Sequence, residues 1–412
     1  MLTRLELRTA CAEALNRLTR TELLEKFGIS RLAYLSGLDN TGLPIYSSVR
    51  PLSSTLAIHC GKNFDRDLAR AGAIAEAIEM ETGEHPSGPF RLANALQLPE
   101  EERVALEDCF PVRASVLNEL TLVAWEEATN IQNGSAKLIP SDLIWMINRI
   151  KEQPLMHFQM SSNGLASGAD LEDAILSGLY EIIERDGWTL NLYLMDLGIL
   201  PKRVPLVHLP EPIEALVRRL EQNQLKLHIF DCTTDYAVPI FNATLLDLSG
   251  RASGTFAGYG AHLDAETALA RAVCEAIQSR VCYLAGARDD LLRRQFLLMK
   301  RLDQEKMDKM FSQLKLGGSI SEYRKLVFPD VKTELRYLLK LLKSRGVSDV
   351  FVKDLGEHGP LHVVRVFSPQ CEPHRFDHWA PTLRCVSYAQ RMLSSELVNN
   401  NDQEQEDKKW AS

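Results

Sequence analysis

No apolar run in this 412-residue chain approaches the ~20 residues that a bilayer-crossing helix needs. The N-terminus, MLTRLELRTACAEALNRL, mixes charge with apolar residues too closely for a signal-peptide core. A cytoplasmic protein without a membrane partner is the expectation. The sequence has no CxxC and no His/Cys group at zinc spacing. Its eight cysteines (Cys11, Cys60, Cys109, Cys232, Cys274, Cys282, Cys371 and Cys385) are scattered and read as buried free thiols in a reducing compartment. No Walker A motif occurs, which excludes a P-loop nucleotide site. No basic stripe occurs either, and the formal net charge is −8, which argues against a nucleic-acid partner. A phosphate ligand would need local cations or metal ions to offset that acidic background.

What is present is ordinary globular composition, 45% hydrophobic and 25% charged. No proline- or serine-rich linker divides the body, so residues 1–395 read as one interwoven α+β unit with a polar tail over 396–412. Within that unit, 1–55 and an insertion over 83–155 carry the weakest patterns. Apolar spacing predicts a helix over 5–27, strands at 31–35, 43–49 and 55–59, and a helix from 66 to 81. A strand over 156–162 is expected to lead into the glycine-containing loop Ser161–Gly168, with a helix from Asp170. Strands at 225–231 and 238–246 precede a glycine-rich approach, 254–260, to a helix near Asp264. A charged surface helix over 287–315 and a last strand at 361–367 complete the pattern.

One segment recurs three times without gaps: DLARAGAIAEAIE (67–79), EDAILSGLYEIIE (172–184) and ETALARAVCEAIQ (266–278). All copies share an alanine (Ala69, Ala174, Ala268), a glutamate (Glu76, Glu181, Glu275) and an isoleucine (Ile78, Ile183, Ile277). Glu79, Glu184 and Gln278 close the pattern. Residues three apart share one side of a helix, so Glu76 with Glu79 and Glu181 with Glu184 present paired carboxylates. The small residue three positions earlier (Ala73, Gly178, Ala272) lies on that side too and admits a close backbone or ligand.

A lone Glu-x-x-Glu is usually a solvated helix face; three copies make a shared cleft the better reading. Facing carboxylates repel unless cations neutralise them, and magnesium suits them because it leaves positions open to substrate phosphates. The glycine loops ahead of each helix, at Gly61-Lys62-Asn63, Asn163–Gly168 and Gly258–Gly260, are then candidate anion cradles. Lys62, Arg185 and Arg280 are candidate phosphate contacts. His262 is read as a histidine satisfied near a helix N-terminus rather than as a general base, and no residue is assigned as the catalyst.

These residues carry a resemblance to the YcaO family. Ser161–Gly168 leading to Glu181-Ile182-Ile183-Glu184-Arg185-Asp186 resembles its central signature, and Gly61-Lys62 with Glu76-Ala77-Ile78-Glu79 its first ATP motif. Glu275-Ala276-Ile277-Gln278-Ser279-Arg280 is similar to the third. Gly28–Pro51 and Gly258-Tyr259-Gly260-Ala261-His262 resemble the branch found beside TfuA proteins. The likeness runs from about residue 20 to residue 372.

The resemblance implies an ATP-binding α+β fold of mixed or antiparallel sheets, with glutamate-bearing helices around the nucleotide cleft. It implies Glu76, Glu79, Asp173, Glu181 and Glu184 as magnesium ligands, and Lys62, Glu76, Asn163, Glu181, Arg185, Gln278 and Arg280 as ATP contacts. It implies activation of a peptide backbone amide by O-phosphorylation, on a precursor peptide presented by a separate TfuA-like or leader-binding partner; a homodimer is left open. The family's proline-rich C-terminal tail is absent from Glu406–Ser412, which favours thioamide formation over cyclodehydration to an azoline. Gly72, Met80 and Ala169 stand where the family often has serine, arginine and asparagine, and Asp173 stands in place of a glutamate. These departures keep a non-catalytic substrate- or partner-binding protein among the alternatives.

Overall fold

The computed structural model describes residues 2–112, 117–150, 157–250, 254–286, 293, 297, 302–375 and 379–395. The predicted helix over 5–27 is two helices, α1 (Arg4–Arg17) and α2 (Arg20–Phe27). Thr19 interrupts it: its hydroxyl accepts from the Glu22 amide while Glu22 reaches back to the Thr19 amide, a capping box that starts a new helix. Three antiparallel strands follow, β1 (Arg31–Tyr34), β2 (Ile45–Val49) and β3 (Ile58–Lys62), and α3 (Arg66–Glu84) covers them.

A second sheet collects strands from distant parts of the chain. Its order is β4 (Arg91–Ala93), β5 (Val123–Asn130), β12 (Phe351–His358), β13 (Leu361–Phe367) and β7 (Leu165–Gly168), with β6 (Ala136–Pro140) paired to β5. Helix α4 (Leu171–Asp196) packs on β7 and β13. The third sheet runs β11 (Thr255–Ala261), β10 (Ile240–Asp247), β9 (Leu225–Asp231) and β8 (Lys202–Val204). Helix α6 (Ala265–Ala285) lies on β11 and β10, and α5 (Ile213–Gln222) packs against β9. Helices α7 (Gln304–Ser312) and α8 (Val331–Ser344) follow, with α8 against α4, and residues 383–395 are helical as well. The pairings among these strands are antiparallel, in the α+β class expected.

The expected strand over 156–162 does not form in its described part, 157–162, where only Phe158 makes an isolated bridge to Pro111. Of the charged helix expected over 287–315, α7 is the described portion; most of 287–301, and the tail from Asn399, lie outside the described residues. Strand β12 escapes a sequence reading because its register shifts between Asp354 and Gly356, which breaks the alternation of inward and outward residues.

The main correction concerns the glycine segments. They are largely strand, not loop: Gly61 lies in β3, Gly168 in β7, Gly258 and Gly260 in β11. Each unit is therefore a strand followed by its glutamate helix, seated backbone to backbone. A Cβ on Gly61 would lie 2.0 Å from the Ala69 carbonyl oxygen and 2.2 Å from the Ala73 nitrogen; one on Gly260 would lie 2.2 Å from the Ala268 oxygen and 2.7 Å from the Ala272 nitrogen. A Cβ on Gly168 would meet the Ala174 nitrogen at 2.1 Å. The repeat alanines and small residues thus admit a strand rather than a ligand. Nor are the helix N-termini open to phosphate. Asp65, Asp170 and Asp264, each eleven positions before its repeat glutamate, cap them by accepting from first-turn amides.

Gly61→Ala should therefore cost about 2–4 kcal/mol of stability, because the clash is with backbone that can move only by separating strand from helix. Gly72→Ala is the control: its Cβ would meet only the Gly61 Cα, at 3.5 Å, and the helix gains up to about 1 kcal/mol of propensity. Urea denaturation of the two variants should shift the midpoint in opposite directions.

Candidate active site

The three seated helices turn their glutamates toward one another. From α3, Glu76 accepts from the Cys60 amide on β3 at 3.0 Å. Glu79 accepts from both the amide and the hydroxyl of Ser167 on β7, at 2.8 and 2.5 Å. From α4 come Glu181, Glu184 and Arg185, with Arg185 at 4.0 Å from Glu181. From α6, Glu275 pairs with Lys62 of β3 at 3.4 Å. Glu79 thus reaches the second unit and Glu275 the first, while Glu76 and Glu181 bond within their own.

The electrostatics show how close the carboxylates are. Burial pushes Glu79 up to about 8, against the Ser167 hydroxyl bond, and the charges of Glu76 and Glu181 add to the rise. Burial likewise raises Glu181 to about 7, with Glu184 and Glu275 reinforcing it while Arg185 and Arg365 oppose. Glu184 is raised by burial and by Glu275. Lys62 and Arg185 respond in the opposite sense: burial disfavours their charge, but the glutamates (Glu275, Glu76 and Glu184 for Lys62; Glu184, Glu181 and Glu275 for Arg185) hold both above their ordinary values. With Arg271, which acts on Glu184, and Arg365, which acts on Glu181, four cations stand against five carboxylates and leave a negative excess.

Such an excess fits divalent cations. Among the described residues no group of three or more His, Cys, Asp or Glu side chains closes into a metal cluster by itself. Magnesium does not need one, because it takes one or two carboxylates, keeps waters and binds phosphate oxygens. The Gln278 Oε1 and Asn163 Oδ1 atoms are buried and without hydrogen-bond partners among the described residues, so they have capacity left for a ligand.

Two expected site residues stand apart. Asp173 is fully buried and held by Arg4 at 2.8 Å, Arg8 at 3.1 Å and the Ala169 amide at 3.2 Å. Burial alone would raise its pKa, but Arg8 and Arg4 bring it to about 2. As placed it is the counter-ion of the N-terminal helix rather than a free metal ligand. Arg280 is also corrected: it is buried, pairs with Asp247 at 2.9 Å and contacts Asp39, with no reach into the cleft. Arg280→Ala should destabilise the protein by about 3–5 kcal/mol, because it strands two buried aspartates, and should leave nucleotide affinity unchanged wherever the variant is folded. Paired denaturation and calorimetric titrations check this.

Other residues were missed. Glu275, the invariant glutamate of the third copy, belongs with the carboxylates, as its place in the repeat already indicated. Arg271, four residues earlier on the same helix side, corresponds to Gly72 and Ser177 in the other copies. Burial and the nearby Arg4 and Arg8 lower it to about 10, and Glu184 is the first charge that supports it. Beyond Arg185, Trp188 stacks on Tyr259 at 4.5 Å and meets His374 at 4.2 Å, while the Arg185 guanidinium lies 5.2 Å over the Trp188 ring. Arg365 of β13 had no sequence signal at all. His262 is satisfied, accepting from the Asp264 amide at 3.0 Å, pairing with Glu334 at 3.2 Å and stacking on Tyr180.

Known proteins resemble this chain in sequence and in fold. A protein from the tfuA 3′ region of Rhizobium leguminosarum bv. trifolii is 30% identical over 366 residues, covering 85% of each chain. One from Methanothermobacter thermautotrophicus is 29% identical over 378 residues, covering 86% of this chain and 92% of its own. Among solved structures, YcaO from Methanopyrus kandleri bound with AMPPCP and Mg2+ superposes with a TM-score of 0.69 at 20% identity, over 88% of this chain and 91% of that one. A heterocyclase in complex with substrate and cofactor gives 0.71 at 20% identity, over 86% and 52% respectively. Among the described residues no helix is long and apolar enough to cross a membrane. The family model described as YcaO cyclodehydratase, ATP- and Mg2+-binding, matches residues 60–372, and the chain belongs to the YcaO family.

Proposed function

We propose that this chain uses Mg·ATP to activate a peptide backbone amide by O-phosphorylation, for conversion of that amide to a thioamide. The observation that carries the reading is the row of five glutamates from three helices, two of them held near pKa 7 and 8, facing a cleft where Lys62, Arg185, Arg271 and Arg365 oppose them. Glu76, Glu79, Glu181 and Glu184 would hold magnesium, with Glu275 beside them. Lys62, Arg185, Gln278 and Asn163 would contact the nucleotide. Asp173 would act through Arg4 and Arg8, which it orients. Bound Mg·ATP supplies the phosphoryl group that turns the amide oxygen into a leaving phosphate once sulfide has added to the carbonyl carbon. The protein's part is to align the phosphates on its carboxylates and exclude water from the cleft.

The relative from the tfuA 3′ region supports the thioamide reading and a TfuA-like partner that brings substrate or sulfur. The family description as a cyclodehydratase and the likeness to a heterocyclase favour a second reading, in which a neighbouring Cys, Ser or Thr side chain attacks and an azoline results. Both use the same site. Incubation of the protein with its precursor peptide, Mg·ATP and sulfide, followed by mass spectrometry, separates them. Exchange of one oxygen for sulfur per modified residue supports thioamide formation, and loss of one water supports cyclodehydration. With an 18O-labelled amide, label must appear in inorganic phosphate in either case; unlabelled phosphate would contradict amide activation.

A further inference from the structure

Arg365 is the most buried cation near the cleft, at 2% exposure, and it faces the opposite side of β13 from the apolar Val364 and Val366 that pack toward α4. A guanidinium carries five N–H donors and cannot shed its charge, so burying it requires partners. Two of its nitrogens are placed by backbone: Nε donates to the Leu143 carbonyl at 2.6 Å and Nη2 to the Ser161 carbonyl at 2.5 Å. The third, Nη1, has no hydrogen-bond partner among the described residues. The charge of Glu181 acts on Arg365, and no carboxylate of the described residues meets it as an ion pair. It differs in this from Lys62 and Arg185, which stand beside Glu275 and Glu181.

The surroundings of Arg365 hold it in place without neutralising it. The turn Ser161–Gly164 folds over β13, held by the Arg365 bond to Ser161 and by the Val366 amide donating to the Gly164 carbonyl at 2.8 Å. Gly164 has a φ of +77°, and a Cβ there would lie 2.0 Å from the Val366 oxygen, so the turn cannot lift or accept a side chain at that point. Asn163 in the same turn buries an amide oxygen without a partner among the described residues. The turn thus lies against the Arg365 guanidinium, whose Nη1 keeps both its N–H donors without a partner among the described residues.

We propose that Arg365 is a catalytic residue that receives the terminal phosphoryl group of the nucleoside triphosphate at the Glu181 end of the row. The inference rests on the Mg·ATP reading and deepens it. The Leu143 and Ser161 carbonyls fix the guanidinium before any ligand arrives, so its remaining donor needs no reorganisation when charge shifts on that phosphoryl group. Its role resembles that of an arginine supplied to a transferring phosphoryl group in other phosphotransfer enzymes. Asn163 closes the same end.

The test compares a triphosphate with a diphosphate. Isothermal titration of the full chain with Mg·AMPPCP and with Mg·ADP is made on the wild type, Arg365→Met and Arg365→Lys. Arg365→Met is expected to bind AMPPCP ~10–100-fold more weakly, the loss of one charge-assisted contact, with ADP affinity unchanged. Arg365→Lys should recover part of the loss. Equal weakening for both nucleotides, or no change for either, overturns the proposal while leaving the Mg·ATP reading intact. Failure of the wild type to bind AMPPCP overturns both. Should Arg365→Met bind neither nucleotide, the lysine variant decides: triphosphate-specific weakening supports the assignment, and unchanged or equally changed affinities reject it.

Discussion

Glu184→Ala, and separately Glu181→Ala, should abolish measurable Mg·ATP binding while making the ligand-free protein harder to unfold. Both effects have one cause. The two side chains lie on the same side of α4, at the centre of five carboxylates whose mutual repulsion is relieved only by cations. Removing one takes away an oxygen ligand that other side chains cannot replace, so affinity should fall at least ~100-fold, more than the loss typical of a residue behind the ligands. It also removes a buried charge that nothing in the ligand-free protein fully balances, which should raise stability by about 1–3 kcal/mol. Calorimetric titration and chemical denaturation measure the two halves. A variant that loses both binding and stability would mean that these glutamates hold the fold together instead.

The ligand-free protein should also lose stability as pH rises through neutrality, the reverse of most proteins stabilised by ion-paired carboxylates. In the unfolded chain Glu79 and Glu181 titrate at 4.5; folded, they keep their protons to about 8 and about 7. Between these limits the folded state binds more protons than the unfolded one, so stability falls with pH. The contribution is fully present below pH 4.5 and is lost as pH passes through 7 and 8. Both side chains are partly solvated, so a loss of about 2–5 kcal/mol is expected from about pH 5 to about pH 8.5. Glu372 shifts upward for similar reasons of burial, so the decisive quantity is the difference between wild type and Glu79→Gln. That variant should show a flatter profile, and saturating Mg·ATP should flatten the wild-type profile as well. A wild-type curve that rises over this range, or one parallel to Glu79→Gln, would contradict the assigned repulsion.

The three glutamate helices were legible in the sequence because a gapless repeat fixes helical phase, and phase fixes which carboxylates share a side. Their partners were not. Arg365 and Arg271 meet the cleft through tertiary packing, from a strand and from a helix position where the other copies carry Ser177 and Gly72, so neither residue type nor spacing announces them. The glycines misled in an instructive way. Gly61, Gly168 and Gly260 look like turn residues, since glycine is a poor strand former, yet they stand in strands because a helix backbone occupies the space of their missing side chains. Arg280 misled for another reason: it follows the repeat closely in sequence, but five positions beyond Glu275 turn it about 140° round the helix, where the buried Asp39 and Asp247 claim it. Strand β12 was lost to its bulge, and the sheet that holds it with β7 joins segments nearly two hundred residues apart, which local periodicity cannot show.

The most direct test of the account is titration of the purified chain with AMPPCP, once in excess magnesium and once in excess EDTA. A nucleotide held mainly through metal ions on glutamates must bind in the first case and fail to bind in the second, because without the metal the carboxylate charge outweighs that of the cations beside it. Equal binding in both, or none with magnesium present, would contradict a carboxylate-borne Mg·ATP site.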